Sequence, residues 1–122
     1  MNILIIEDET LAAEKLENLL KELDASVNIL GKLKAIETVT DWFESSGDKP
    51  DLIISDIRLL DGLSFEIFKQ VDYKGAVIFT TAYDQYAIKA FEVNSIDYLL
   101  KPVQKEKLKN SLEKFKSLNS AM

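Results

Sequence analysis

The sequence predicts an α/β fold, a doubly wound five-stranded parallel sheet with helices on both faces. Short apolar runs of strand length, among them Asn2 to Ile6, Asp51 to Ser55 and Ile96 to Leu100, read as strands buried on both sides. Amphipathic stretches of helical period lie between such runs, and the alternation repeats along the whole chain. The length of 122 residues fits one domain, residues 1–122, large enough for a core without disulfide or metal staples.

Asn2 to Ile6 opens the chain as the first strand. A helix follows in which Leu16, Leu19, Leu20 and Leu23 fall on one face, with Glu14, Lys15, Glu17, Asn18 and Lys21 between them. Val27 to Leu33 is the second strand. Thr38 to Glu44 is a helix with Val39, Trp42 and Phe43 on one side, stopped by Ser45-Ser46-Gly47-Asp48. Asp51 to Ser55 is the third strand, and a polar loop leads from it into a helix that buries Phe65, Ile67 and Phe68. Ala76 to Thr80, Tyr83 to Val93, Ile96 to Leu100 and Gln104 to Leu118 complete the pattern as strand, helix, strand and helix. The last of these has Leu108, Leu112 and Phe115 on one face. Right-handed crossovers restrict the topology, and the flavodoxin-like strand order 2-1-3-4-5 places the first and third strands side by side at the switch point.

Composition excludes several chemistries. With neither cysteine nor histidine in the chain, disulfides, Cys/His zinc sites, thiol catalysis and a Ser-His-Asp triad are ruled out. The net charge of −6 argues against general nucleic-acid binding. Charge is uneven, since residues 101–122 hold six lysines and two glutamates. That stretch reads either as a solvated helix face favoured by the helix dipole or as a docking surface for an acidic partner. No signal-peptide pattern opens the chain and no apolar run is long enough to span a bilayer, so the expectation is a cytoplasmic protein without a membrane partner.

Three strands end in functional side chains: Glu7-Asp8-Glu9, Asp56 and Lys101-Pro102. Taken singly, each has an ordinary reading as a solvated acid or a strand terminus. In a parallel sheet, however, the C-terminal strand ends share one edge, so the three groups converge. Gathered carboxylates repel and call for a cation. Magnesium suits them, being hard and held by one or two carboxylates with waters and a phosphate. Asp8 and Asp56 are the expected direct ligands, with Glu7 acting through water and the backbone carbonyl of Arg58 completing the set. Lys101 suits a phosphate oxygen or a carboxylate, and Pro102 permits a cis peptide. Thr80 and Thr81 end the fourth strand, where Thr81 offers a hydroxyl to a phosphoryl oxygen. A carboxylate can itself be the nucleophile and become an aspartyl phosphate; Asp56, standing alone opposite the acidic pair, is the candidate.

Glu7-Asp8, Asp56-Ile57-Arg58-Leu59, Thr81-Ala82 and Tyr98-Leu99-Leu100-Lys101-Pro102, in this order and spacing, resemble the receiver domain of bacterial response regulators over essentially the whole chain. Thr81-Ala82-Tyr83 with Tyr86-Ala87 and Ala90-Phe91-Glu92 is most similar to receivers joined to LytTR-type DNA-binding domains. The resemblance implies Asp56 as phosphoacceptor, Asp8 as magnesium ligand with Glu7 as its partner, Lys101 as the phosphate-binding lysine, Thr81 as switch hydroxyl and Tyr98 as switch aromatic. It implies a two-component phosphorelay with a sensor histidine kinase as phosphodonor, and a domain that catalyses only its own phosphorylation and dephosphorylation. Output is expected through the face of the fourth helix, fifth strand and fifth helix, which also suits a homodimer. Transcription regulation and DNA contact would come only through a further domain. A stand-alone receiver working by protein–protein contact is the alternative.

Two other classes fit less well. An aspartyl-phosphate phosphohydrolase of the haloacid-dehalogenase type carries an acid two residues after its nucleophile, where this chain has Arg58. A flavin-binding domain would place Gly, Ser and Thr after the first strand, where Glu7-Asp8-Glu9 repels a phosphate. Arg58 and Tyr83 are expected to flank the water route to the phosphoryl group and so tune its lifetime. The chain departs from the receiver pattern after Asp56, with Leu60 and Ser64 where proline and glycine are common; Gly62 is the expected source of the turn instead. Glu7 stands where aspartate is commoner.

Overall fold

The computed structural model describes residues 1–82 and 95–120. The segment predicted as a helix, Tyr83 to Val93, lies outside the described residues.

Strand β1 (Asn2–Ile6) shows why the sheet is covered on both sides. Its residues alternate between faces. Ile3 and Ile5 join a core cluster with Ala13, Leu16 and Leu20 of α1 (Thr10–Leu23) and with Leu108, Leu112 and Phe115 of the C-terminal helix (Lys105–Ser120). Leu4 and Ile6 turn to the other face, against Val39 of α2 (Ile36–Ser45), Phe65 and Ile67. Each such fully buried side chain contributes about 1.5–3 kcal/mol relative to exposure, so the two layers dominate folding.

The remaining sheet strands are β2 (Asn28–Leu33), β3 (Leu52–Asp56), β6 (Ala76–Thr81) and β7 (Ser95–Leu100). All pair in parallel in the order β2-β1-β3-β6-β7, which is the predicted 2-1-3-4-5 when the sheet strands alone are counted. The fold is therefore the flavodoxin-like, doubly wound one. β1 and β3 are neighbours, with Ile6 opposite Ser55.

The segment after β3 differs from the expected polar loop. It forms a small antiparallel hairpin, β4 (Arg58–Leu59) and β5 (Gly62–Leu63), with Arg58 opposite Leu63. Two-residue strands carry no readable periodicity, which is why the sequence pattern did not show them. The turn itself is formed by Leu60 and Asp61 rather than by the expected Gly62, which opens the return strand opposite Leu59 with a φ of 141°. A single turn of 3₁₀ helix (Ser64–Glu66) then leads into a short α3 (Ile67–Gln70). Phe65 and Ile67 are buried as expected, whereas Phe68 is only half-buried.

α2 starts at Ile36, ahead of the expected Thr38, because its first amides are capped from a distance. The Asp61 carboxylate accepts the Ile36 N–H at 2.8 Å and the Glu37 N–H at 3.2 Å. In the lysine-rich C-terminal helix, Lys105 pairs with Glu22 at 3.2 Å and Lys116 with Asp24 at 3.0 Å. Part of that basic run thus ties the helix to α1.

Ser64 does not adopt positive φ, which among the described residues only glycines show. Its N–H donates to the Ile57 carbonyl at 2.7 Å, while its fully buried hydroxyl finds no hydrogen-bond partner among the described residues. An orphaned buried hydroxyl costs about 1–3 kcal/mol. Ser64→Ala is therefore expected to raise stability by about 1 kcal/mol, read as a shift of the urea midpoint at unchanged m-value; a loss of stability would show that the hydroxyl is satisfied.

Candidate functional site

The parallel register brings the polar residues that follow β1, β3, β6 and β7 to one edge. Asp56 lies opposite Thr80 and Thr81 opposite Leu100, so the acceptor candidate and the strand end before Lys101 are separated only by β6. The Glu7 N–H continues the ladder by donating to the Leu33 carbonyl at 2.8 Å, and the Lys101 N–H donates to the Thr81 carbonyl at 2.8 Å. These backbone bonds fix where each side chain leaves the sheet.

Glu7 and Asp56 are both buried, only 4% and 8% exposed. Two carboxylates in so little water need a countercharge. Lys101 provides it: its ammonium donates to Glu7 Oε1 and, at 2.8 Å, to Asp56 Oδ2. The Lys101–Pro102 peptide is cis. Burial works against the lysine's charge, but the hydrogen bonds it donates to Asp56 and Glu7 together outweigh it and raise the ammonium pKa above its ordinary value.

Asp8 is half-buried beside this pair. Burial first, and then the neighbouring Glu7 carboxylate, push its pKa up. One carboxylate oxygen from each of Glu7, Asp8 and Asp56 lies within 4.8 Å of the others. That all-oxygen set fits a hard divalent cation such as magnesium. Glu7 has both oxygens engaged, one by Lys101 and the other by the Glu9 N–H at 3.1 Å, so Asp8 and Asp56 are better placed to face the cation directly.

The other predicted residues take these places. Thr81 is fully buried at the end of β6. Thr80 lines a cleft of about 390 Å³ with Glu7, Lys15, Leu16, Lys101 and Val103, between α1 and the start of the C-terminal segment. Arg58 is exposed on the hairpin directly beyond Asp56. Tyr98 is half-buried on the edge strand β7 and packs against the core layer that holds Phe79, its register partner. Tyr83 lies outside the described residues.

Two groups, one on the hairpin beside this edge and one in the middle of β7, escaped sequence reasoning. Asp61, in the hairpin, caps α2, a contact over 25 positions that no local spacing reveals. Asp97 precedes Tyr98 and accepts a hydrogen bond from the buried Ser111 hydroxyl of the C-terminal helix. An acid inside an otherwise apolar strand was the available signal for the second.

Residues 3–113 match the family described as the response regulator receiver domain. The chain belongs to the response regulator receiver family. This receiver is 40% identical over 119 residues to the sensory transduction protein LytT of Bacillus anthracis, an alignment covering 95% of the chain and 47% of that relative. It is 38% identical over 117 residues to the positive alginate biosynthesis regulatory protein of Pseudomonas aeruginosa, covering 93% and 46%. The receiver thus spans about half the length of the curated relatives it matches. Among solved structures, the response regulatory domain of protein mrkE from Klebsiella pneumoniae superposes with a TM-score of 0.85 at 31% identity, over 100% of both chains. Among the described residues of the receiver, no helix is long and apolar enough to cross a membrane.

Lys101→Met leaves Glu7 and Asp56 without their countercharge. The variant is expected to lose about 2–3 kcal/mol in the presence of a chelator, somewhat less than for a fully buried pair because the lysine keeps some water. Magnesium is expected to raise its Tm by more than it raises that of the unaltered chain. Equal shifts would show that cation and ammonium do not neutralise the same carboxylates.

Proposed function

We propose that residues 1–122 form one phosphoacceptor domain, in which Asp56 takes a phosphoryl group from the phosphohistidine of a sensor histidine kinase. The observation that carries this reading is the Glu7–Lys101–Asp56 bridge at the converged strand ends, with Asp8 alongside. It unites a nucleophile, a movable cation and an acidic pair in one half-dry crevice. An Asp56 oxygen attacks phosphorus, the P–N bond of the donor breaks, and the imidazole leaves with that electron pair and takes up a proton.

Asp8 and Asp56 would hold magnesium directly, Glu7 through water and Arg58 through its carbonyl; when bound, the ion neutralises charge on the transferred group. Lys101 exchanges its Asp56 contact for a phosphoryl oxygen. The new group adds charge and acceptor oxygens, which the Thr81 hydroxyl meets by moving inward. Tyr98 then fills the vacated space from its half-buried position. The face made by β7 and the C-terminal helix is remodelled, a two-state element biased by a local event. We read this face as the output and homodimer surface.

The relatives named above are sensory-transduction and regulatory proteins about twice as long as this chain. They support a cytoplasmic two-component role in transcription regulation, with DNA contacted only by a LytTR-type domain attached to the receiver. Arg58, exposed on the hairpin beyond Asp56, tunes the lifetime of the phosphorylated state by flanking the route of water, and Tyr83 is proposed to share that tuning role.

Labelling by acetyl phosphate with magnesium is expected to add one phosphoryl group to the unaltered chain, and Asp56→Asn to reduce this by at least about 100-fold. Equal labelling of the variant would remove Asp56 from the role. Arg58→Ala is expected to change the dephosphorylation rate about threefold or more; an unchanged rate would leave lifetime to other groups.

A further inference from the structure

The hairpin that follows Asp56 is too small to hold its own shape, since two-residue strands joined by a turn are not stable alone. Its base is tied by the Ser64 N–H to the Ile57 carbonyl at 2.7 Å. Its tip is tied elsewhere. The Asp61 carboxylate takes the Ile36 N–H at 2.8 Å and the Glu37 N–H at 3.2 Å, the first two amides of α2. Gly62 seats the same tip closely, because a Cβ on it would lie 3.2 Å from Ile36 Cδ1 at a φ of 141°.

The start of α2 is fastened on its other side to the acidic loop. Lys34 Nζ donates to Thr10 Oγ1 at 2.7 Å, and the Glu7 N–H donates to the Leu33 carbonyl at 2.8 Å. Residues 33–37 therefore bridge the two halves of the candidate magnesium site. One half is Glu7-Asp8; the other is Asp56 with the hairpin that carries Arg58.

We infer that Asp61 is a positioning residue for this site: by clamping the hairpin to α2 it fixes the hairpin that carries Arg58 relative to the Glu7-Asp8 side of the site. The inference rests on the reading of Glu7, Asp8, Asp56 and Arg58 as the magnesium set. It is a different claim from helix capping, which would affect stability alone. The double hydrogen bond is directional, and groups that orient metal ligands from behind typically matter about tenfold or more in affinity. The Ile36 N–H, opposing burial and joined by Glu37, holds the Asp61 carboxyl below its ordinary pKa, so the clamp is ionised at neutral pH.

The test is magnesium binding to the folded chain at 25 °C by calorimetry, with Asp61→Ala, Asp61→Asn, Gly62→Ala and, as control, Val39→Ala, which loosens the core under α2 while leaving the Asp61 carboxylate and its two N–H donors unchanged. Asp61→Ala is expected to raise the magnesium Kd roughly tenfold. Asp61→Asn, whose carbonyl still accepts from Ile36, is expected to recover most of that loss. Gly62→Ala unseats the same tip with the carboxylate intact and is expected to weaken binding too; it carries the test if Asp61→Ala does not fold. Acetyl phosphate labelling of Asp61→Ala should need more magnesium yet reach nearly the unaltered rate at saturation. An unchanged Kd in Asp61→Ala and Gly62→Ala, or an equal loss in Val39→Ala, overturns the inference alone. A chain that binds no magnesium in its unaltered form overturns the functional reading, and this inference with it.

Discussion

The candidate site of this receiver depends on one electrostatic problem, the burial of Glu7 and Asp56 at the edge of an apolar sheet. Parallel strands collect whatever follows their C-terminal ends, and here that is acid from β1 and acid from β3. Neither carboxylate has enough water to be stable by itself. Lys101, delivered by the last strand, resolves the conflict by donating to both. Three distant stretches of chain are thereby joined by one ammonium group. A cation held by two acids rather than one can give up either contact without losing the other, and that suits a site whose charge must change during use.

The hairpin after Asp56 shows how a local departure from a family pattern is absorbed. Where a proline and a glycine are common, this chain has Leu60 and Ser64. The turn falls at Leu60-Asp61, and the positive φ in this segment is taken by Gly62 on the return strand. Leu60 is left 74% exposed at the tip and Ser64 buries an orphaned hydroxyl. Asp61 offsets this by accepting two N–H groups of α2, which anchor the hairpin to the helix.

Charge on the far side of the molecule has a plainer role. Lys105 and Lys116 meet Glu22 and Asp24 across the α1 and C-terminal helix packing. Such exposed pairs contribute little energy, but they orient the helix whose inner face carries Leu108, Leu112 and Phe115. The same helix reaches β7 through Ser111 and Asp97, one residue before Tyr98. Strand and helix on the candidate output face are thus linked by a polar contact as well as by packing.

The sequence by itself determined the strands, the helices it read and both core layers, because apolar runs and period-3.6 patterning are local properties that burial enforces, while the strand order followed from the regularities of parallel α/β sheets. Leu16, Leu20, Leu108, Leu112 and Phe115 are buried as their spacing requires. It also placed Glu7, Asp8, Asp56 and Lys101 at one edge, since parallel topology leaves strand ends nowhere else to go. Only the tertiary structure decided how these groups pair, why α2 begins at Ile36, and that a hairpin rather than a loop follows Asp56. Each of those rests on contacts between residues far apart in sequence, such as Asp61 with Ile36 or Lys101 with Glu7. A directional hydrogen bond of that kind leaves no periodic trace in the chain, so it exists only once the core has brought its two ends together.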